Sequence, residues 1–263
     1  MKILLSRFYK QNKYDFTFHE DRFIELLIAA KQLKFDGIEY TATIPELFSN
    51  TKRIIALSSE YKVPIVSIHA PPHMVIYTPK FSFKRLCDMY ATFPDCKVFN
   101  FHLSGFINPI HRSDAYFKKF VSLVQDNNIP LSLESNPKMF GLHHYPKVTW
   151  DPDLFAKYCV ANKLAITFDT SHIAHWKYDI VTFFKKYHKH IKLIHLSDYA
   201  GTTQHLPLGE GELPLKELFQ EIKKVMYKHE ITFEIKNFPK NATKDEKING
   251  IQKSITMVKQ YTL

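Results

Sequence analysis

Six ionisable side chains occupy one kind of position in this sequence. Short runs rich in β-branched and aromatic residues end in His69 (PIVSIHA), His102 (KVFNFHLS), Glu134 (IPLSLES), Asp169 (LAITFDT), His195 (IKLIHLS) and Glu234 (ITFEIK). Carboxylates brought together repel one another and resist leaving water. A cluster of them needs a counter-charge, which a divalent cation bound through carboxylate oxygen and imidazole nitrogen supplies. Glu134, Asp169, His195 and Glu234 make an oxygen-rich donor set suited to manganese, magnesium, cobalt or zinc, and the imidazole content of the whole group favours zinc or manganese. His69 and His102 can hold a second ion, with Glu134 bridging. Two neighbours extend the set as ligands or substrate contacts. His172 follows Asp169 by three residues in DTSH, in a turn past the run, and His205 lies in TTQHLPLGEGELP, where Gly209 and Gly211 permit close backbone approach. A phosphate in that loop would be opposed by Glu210 and Glu212. Glu39, near the end of DGIEYTA, has two readings, a substrate contact or an ion pair with a neighbouring lysine.

Strands must carry these groups. Eight runs have strand character, at residues 2–6, 36–42, 64–70, 97–104, 129–135, 164–170, 191–197 and 231–236. Most are nearly continuous apolar runs without strict alternation, as expected of parallel strands covered on both faces. Helical patterns fall between them. Phe23, Leu26, Leu27, Ala30 and Leu33 recur at helical spacing over 19–33. Asp151 and Pro152 open a helix through Cys159, and Thr243 and Glu246 have capping-box spacing ahead of Ile248, Ile251, Ile255 and Val258. One helix follows each strand. Eight βα units predict an α/β fold, a single (β/α)8 TIM barrel forming one domain over 1–263. An open doubly wound sheet normally has a glycine-rich turn after its first strand, and SRFYKQNKYD contains no glycine. Barrel enzymes assemble their sites at the carboxyl ends of the strands, where all six residues fall.

Composition narrows the class. With 45% hydrophobic and 24% charged residues the chain can bury a core, which excludes disorder, collagen-like repeats and a disulfide scaffold. The balance of 36 Lys+Arg against 26 Asp+Glu, a net +10, favours an anionic partner such as a phosphorylated metabolite or nucleic acid. Lys80, Lys84, Arg85, Lys118 and Lys119 read as solvated helix faces, and serve nucleic-acid binding only if they share the face of the barrel mouth. Cys87, Cys96 and Cys159 are odd in number with no C-x-x-C spacing, which suggests neither a disulfide framework nor a zinc knuckle. The amino-terminal segment lacks a signal-peptide core, and no stretch approaches the roughly 18 apolar residues of a membrane span, so a soluble cytoplasmic protein with no membrane partner is expected.

Taken in order, IHAPP, FNFHLS, LSLES, FDTSH, IHLSD, HLPLGEGE and TFEIK resemble the superfamily of xylose isomerase-like TIM barrels. That superfamily includes sugar and sugar-phosphate isomerases and epimerases and the endonuclease IV type of apurinic endonuclease, and the resemblance runs from Pro64 to Lys236. Likeness to the epimerase branch implies one metal on Glu134, Asp169, His195 and Glu234, with the two glutamates also acting as acid and base and His172 touching substrate. Likeness to the endonuclease branch implies three zinc ions on His69, His102, Glu134, Asp169, His172, His195, His205, Glu234 and one further aspartate. Thr203 stands at the position of that aspartate, leaving His172 and His205 a poor pair, and Pro72 replaces a tyrosine that the endonucleases use to read damaged DNA. The expected activity is therefore metal-dependent isomerisation or epimerisation of a small sugar or sugar phosphate. Glu134 and Glu234 would exchange the proton through an enediolate while His172 and His205 orient hydroxyls. The alternatives are metal-dependent phosphodiester hydrolysis of abasic DNA and a non-catalytic metal-binding barrel.

Overall fold

The computed structural model describes residues 1–6, 8, 18–41, 50–70, 90–102, 121–122, 124–137, 148 and 151–262. The strands β1 (Ile3–Leu5), β2 (Gly37–Thr41), β3 (Ile65–His69) and β4 (Val98–His102) are followed by β5 (Leu131–Glu134), β6 (Ala165–Asp169) and β7 (Ile191–Leu196). After a two-stranded hairpin, β8 (Asp198–Ala200) and β9 (Thr203–Leu206), comes β10 (Glu230–Phe233). The order β1-β10-β7-β6-β5-β4-β3-β2 closes on itself with every pairing parallel, so the chain forms a single (β/α)8 TIM barrel and not an open sheet. All eight barrel strands begin within one residue of the runs read from sequence or inside them.

The helices α1 (Glu20–Gln32), α2 (Thr51–Tyr61), α3 (Pro152–Ala161), α4 (Thr170–His175), α5 (Ile180–Tyr187), α6 (Leu215–Lys224) and α7 (Lys244–Thr262) are amphipathic or capped for evident reasons. In α6 the buried residues Leu215, Leu218, Phe219 and Ile222 form one stripe at helical spacing. Asp151 caps α3 by accepting from Leu154 N at 2.9 Å, with Pro152 in the first turn. At α7 the capping box forms: Thr243 N donates to Glu246 Oε2 (2.7 Å) and Glu246 N to Thr243 Oγ1 (3.2 Å).

Three details differ from the sequence reading. The strands do alternate. In β3, β4, β5, β6 and β10 the outward residues are large and apolar, and Phe168 stacks on Phe183 of α5 while Phe233 meets Phe35 edge-on. The residues between them are Ser67, Asn100, Ser132, Thr167 and Thr232, all fully buried, each two positions before a site residue and therefore on its face. The barrel interior beneath the site is thus small and polar. Second, two helices, α4 and α5, follow β6, because Asp169 ends the strand and caps the next helix at once by accepting from His172 N. Third, the segment after β7 forms the β8–β9 hairpin instead of remaining a loop.

Cys96 and Cys159 are buried free thiols, and burial pushes the Cys96 pKa up to about 12. Cys87, Pro72 and the basic residues Lys80, Lys84, Arg85, Lys118 and Lys119 lie outside the described residues. Among the described residues no helix is long and apolar enough to cross a membrane.

Gly37 opens β2 where strands crowd. A Cβ there would lie 2.6 Å from Pro64 O and 2.7 Å from Val66 Cγ2. Gly37→Ala is expected to cost about 1–3 kcal/mol through this overpacking, seen as a lower urea midpoint with an unchanged slope.

Candidate metal centre

The carboxyl ends of β2 to β7 and β10 bring the predicted side chains to one mouth. Register sets them side by side: Thr41 pairs with His69, His102 with Glu134, and Asp169 with His195. His69, Glu134, Asp169, His172, His195 and Glu234 are all buried, and His102 and His205 partly so.

Among the described residues the convergence with most donors is that of the four residues read together from the sequence. One donor atom each from Glu134, Asp169, His195 and Glu234 lies within 4.8 Å of the other three. His195 Nδ1 is 2.9 Å from Glu234 Oε2, 3.4 Å from Glu134 Oε2 and 3.9 Å from Asp169 Oδ2. Of these atoms, His195 Nδ1, Asp169 Oδ2 and Glu234 Oε2 are buried without a hydrogen-bond partner. Orphaned buried donors and acceptors are costly, and several aimed at one point are the arrangement a cation satisfies. The residues therefore fit a divalent ion.

His195 owes its orientation to a residue the sequence reading assigned otherwise. Its Nε2 donates to Glu39 Oε2 at 3.0 Å, across the barrel from β7 to β2, and Glu39 is fixed in turn by Ser67 Oγ at 2.7 Å. With Nε2 engaged by Glu39, Nδ1 is the nitrogen left facing Glu134, Asp169 and Glu234, and it would ligate an ion bound among them once its proton is released, the usual way an outer carboxylate orients a ligand histidine. Among the described residues Glu39 has no lysine partner, and it is fully buried instead of facing an open substrate position. Asn100 and Lys236 were also missed. Asn100 Nδ2 donates to Glu134 Oε2, and Lys236 Nζ pairs with Glu234 Oε1. Each sits two residues from a site residue, Asn100 before His102 within β4 and Lys236 after Glu234 just past β10, and that spacing was the available signal.

A second group comprises His69, His102 and Glu134. Glu134 Oε2 is 3.3 Å from His69 Nε2 and 3.9 Å from His102 Nε2, and both nitrogens of His69 are buried without partners. A third comprises Asp169, His172 and His205, so the carboxylate that Thr203 fails to provide comes from Asp169. Thr203 itself is exposed on the hairpin, paired with Ala200. Asp169 has only one oxygen to offer, because Oδ1 accepts from His172 N and Ser171 Oγ, each at 2.8 Å. Its Oδ2 lies 3.8 Å from His172 Nε2 and 3.9 Å from His195 Nδ1, so the third group competes with the first. His172 is positioned from the first turn of α4, and its Nδ1 lies 3.0 Å from Ser135 O and 2.9 Å from Glu134 Oε1.

Burial opposes charge on Glu134, Asp169 and Glu234 and on His102, His172, His195 and His205. It pushes the Asp169 carboxyl up to about 6 and drives His102 and His205 each down to about 3. For Glu134 burial is outweighed by His102 and His195, and for Glu234 by Lys236 and His195, so both stay well below the ordinary carboxylate range. Against the same burial, Asp169 and Glu134 carry His172 up to about 9, and Glu39 and Glu134 hold His195 well above the usual imidazole value.

The glycine loop serves a different purpose from the one its sequence suggested. Asp198, buried at the start of β8, accepts from Gly209 N (2.9 Å), Gly211 N (3.1 Å) and Leu213 N (3.1 Å). Gly209 has φ +86°, and a Cβ at Gly211 would run into the Asp198 carboxylate. The close backbone approach is therefore to Asp198, which folds the loop behind His205.

A sequence model of the family described as xylose isomerase-like TIM barrel matches residues 27–261. No curated protein matches the sequence. Among solved structures, D-psicose 3-epimerase from Clostridium cellulolyticum H10, with D-tagatose, has a TM-score of 0.74 at 12% identity over 100% of this chain and 99% of that one. A 3-keto-D-glucoside 4-epimerase from E. coli has a TM-score of 0.68 at 14% identity, covering 99% of both chains. A xylose isomerase-like TIM barrel protein from Mycobacterium smegmatis, in complex with magnesium, has a TM-score of 0.67 at 12% identity over 100% of this chain and 98% of that one. At such identities the likeness establishes the fold alone.

If Glu39 sets the tautomer of His195, Glu39→Gln weakens binding of zinc or cobalt about 10–100-fold with little change in secondary structure. Calorimetric metal titration measures this, and an unchanged affinity would remove Glu39 from the centre.

Proposed function

The chain belongs to the xylose isomerase-like TIM barrel family, and on that premise we propose that it is a divalent-metal-dependent isomerase or epimerase of a small sugar or sugar phosphate. The observation that carries this reading is the convergence of Glu134, Asp169, His195 and Glu234 on one point, two of the four being glutamates held ionised. The sugar epimerases among the structural neighbours, one of them holding D-tagatose, support the substrate class.

Glu134, Asp169, His195 and Glu234 would hold the ion, with zinc or manganese favoured by the imidazole content. Bound there, a divalent cation would polarise a carbonyl and the hydroxyl beside it and so acidify the C–H between them. Glu134, at the end of β5, and Glu234, just past β10, face each other at the mouth with two strands, β6 and β7, between them. One takes the proton from carbon and the other returns it, passing through an enediolate. Lys236 on the second oxygen of Glu234 keeps that carboxylate ready to accept a proton, and Asn100 fixes the position of Glu134. His172 and His205, whose ring centroids are 5.4 Å apart, orient the hydroxyls from α4 and the hairpin. The free buried thiols fit a reducing cytoplasm.

A second reading has one specific support. The His69, His102 and Glu134 group offers a second ion site next to the first, the arrangement of a two-metal phosphodiester hydrolase acting on abasic DNA.

Metal analysis of the purified protein is expected to give one ion per chain, and two or three would favour the hydrolase. In D2O the enzyme should place solvent deuterium at the carbon next to the carbonyl of its ketose. Glu134→Gln and Glu234→Gln should each slow exchange about 10²–10⁴-fold. Nicking of an abasic oligonucleotide, with no exchange across a broad ketose panel, would replace the isomerase reading.

A further inference from the structure

We propose that the amino-terminal mouth of the barrel, at the end opposite the metal centre, binds a phosphate-bearing organic anion of about nucleotide size. A cavity of about 720 Å³ opens there, within the roughly 300–1,000 Å³ of small-molecule sites. Five lysines line it: Lys2 ahead of β1, Lys97 ahead of β4, Lys163 ahead of β6, Lys189 ahead of β7 and Lys192 within β7. Among the described residues none of the five forms an ion pair. The one carboxylate on the wall is Glu230, and burial pushes its pKa up.

The site is ordered as well as charged. Lys192 is half-buried, with its Nζ 2.9 Å from His229 Nε2. Burial, reinforced by Lys192 itself, holds the His229 ring below its ordinary pKa, so the neutral imidazole accepts a hydrogen from the ammonium and fixes it at the wall. Helix carboxyl ends face this mouth and attract cations, which accounts for Lys163 and Lys189 near the ends of α3 and α5. It does not account for Lys192, inside a strand, or for Lys2 and Lys97, which lead into strands.

The floor decides the class of anion. Pro130, Val160 and Ala165, each partly exposed, line the cavity together with the more deeply buried Val98, Ile129, Leu131 and Leu164. Inorganic phosphate would leave that aliphatic surface wet, and a nucleic-acid backbone follows an open track instead of entering a concave pocket. A ligand with an apolar body and a phosphorylated end covers the floor and meets the ammonium groups together.

The test uses the full-length, metal-loaded protein with ADP and inorganic pyrophosphate as probes in calorimetric titration. Lys163 has φ 56°, a left-handed conformation that glycine adopts freely, so Lys163→Gly removes the amine without straining the fold. ADP should bind one to one and more tightly than pyrophosphate. Lys163→Gly and Lys192→Gln should each weaken it roughly tenfold, the scale of one charge-assisted contact, with thermal melts showing both variants folded. Asp169→Asn, in the metal centre, should leave ADP binding unchanged. The proposal is overturned if ADP fails to bind at millimolar concentration, if both lysine variants bind like the parent, if Asp169→Asn abolishes binding, or if pyrophosphate binds as tightly as ADP.

Discussion

Four carboxylates, Glu39, Glu134, Asp169 and Glu234, are buried together at one end of a closed barrel. Among the described residues the one ammonium within ion-pair distance of them is Lys236. Such a concentration of negative charge in a low-dielectric interior is sustained only by positive charge or by protons. The surrounding imidazoles supply part of it, which is why His172 and His195 are drawn towards protonation while His102 and His205, facing less negative charge, are not. A dication held by the orphaned lone pairs would do the same work at one point. The rest of the structure holds the carboxylates where that imbalance persists.

Holding them is a matter of alternation. Each strand turns large apolar side chains outward to the helices, as Phe168 does against α5, and keeps small polar residues inward beneath the site. Ser67 steadies Glu39, Asn100 steadies Glu134, and Thr167 donates to Ser132 at 2.8 Å. The inner layer thus provides hydrogen bonds in a space that barrels commonly fill with branched aliphatics. Ser67 and Asn100 in this layer hold two of the carboxylates directly, while the outward apolar layer packs against the helices. Stability and site geometry therefore rest on opposite faces of the same strands.

The two ends of the barrel divide the charge. The carboxyl-terminal mouth gathers acids and imidazoles, while the amino-terminal mouth gathers Lys2, Lys97, Lys163, Lys189 and Lys192 around one carboxylate. Among the described residues the two mouths therefore differ in the sign of the charge they gather, and an anion is attracted to the lysine-lined one.

Much of this was written in the linear order of residues. Parallel strands of period two, each closing on His, Asp or Glu, require that those residues meet wherever the strands lie side by side, so Glu134, Asp169, His195 and Glu234 were legible as a set. Asp151 and Thr243 announced their helices because capping is a local interaction, complete within four residues. What remained hidden depended on contacts across the barrel. Glu39 reaches His195 over 156 positions of sequence, and no local pattern distinguishes it from a solvated glutamate. Asp198 folds the glycine loop through a carboxylate that sequence places beside a strand and not beside the glycines. The Asp169 carboxylate replaces the one missing at Thr203 only because α4 begins where β6 stops. The amino acid order fixed which donors exist and which face of a strand they share. Closure of the barrel decided which of them touch, since it alone sets β2 against β7 across a common interior.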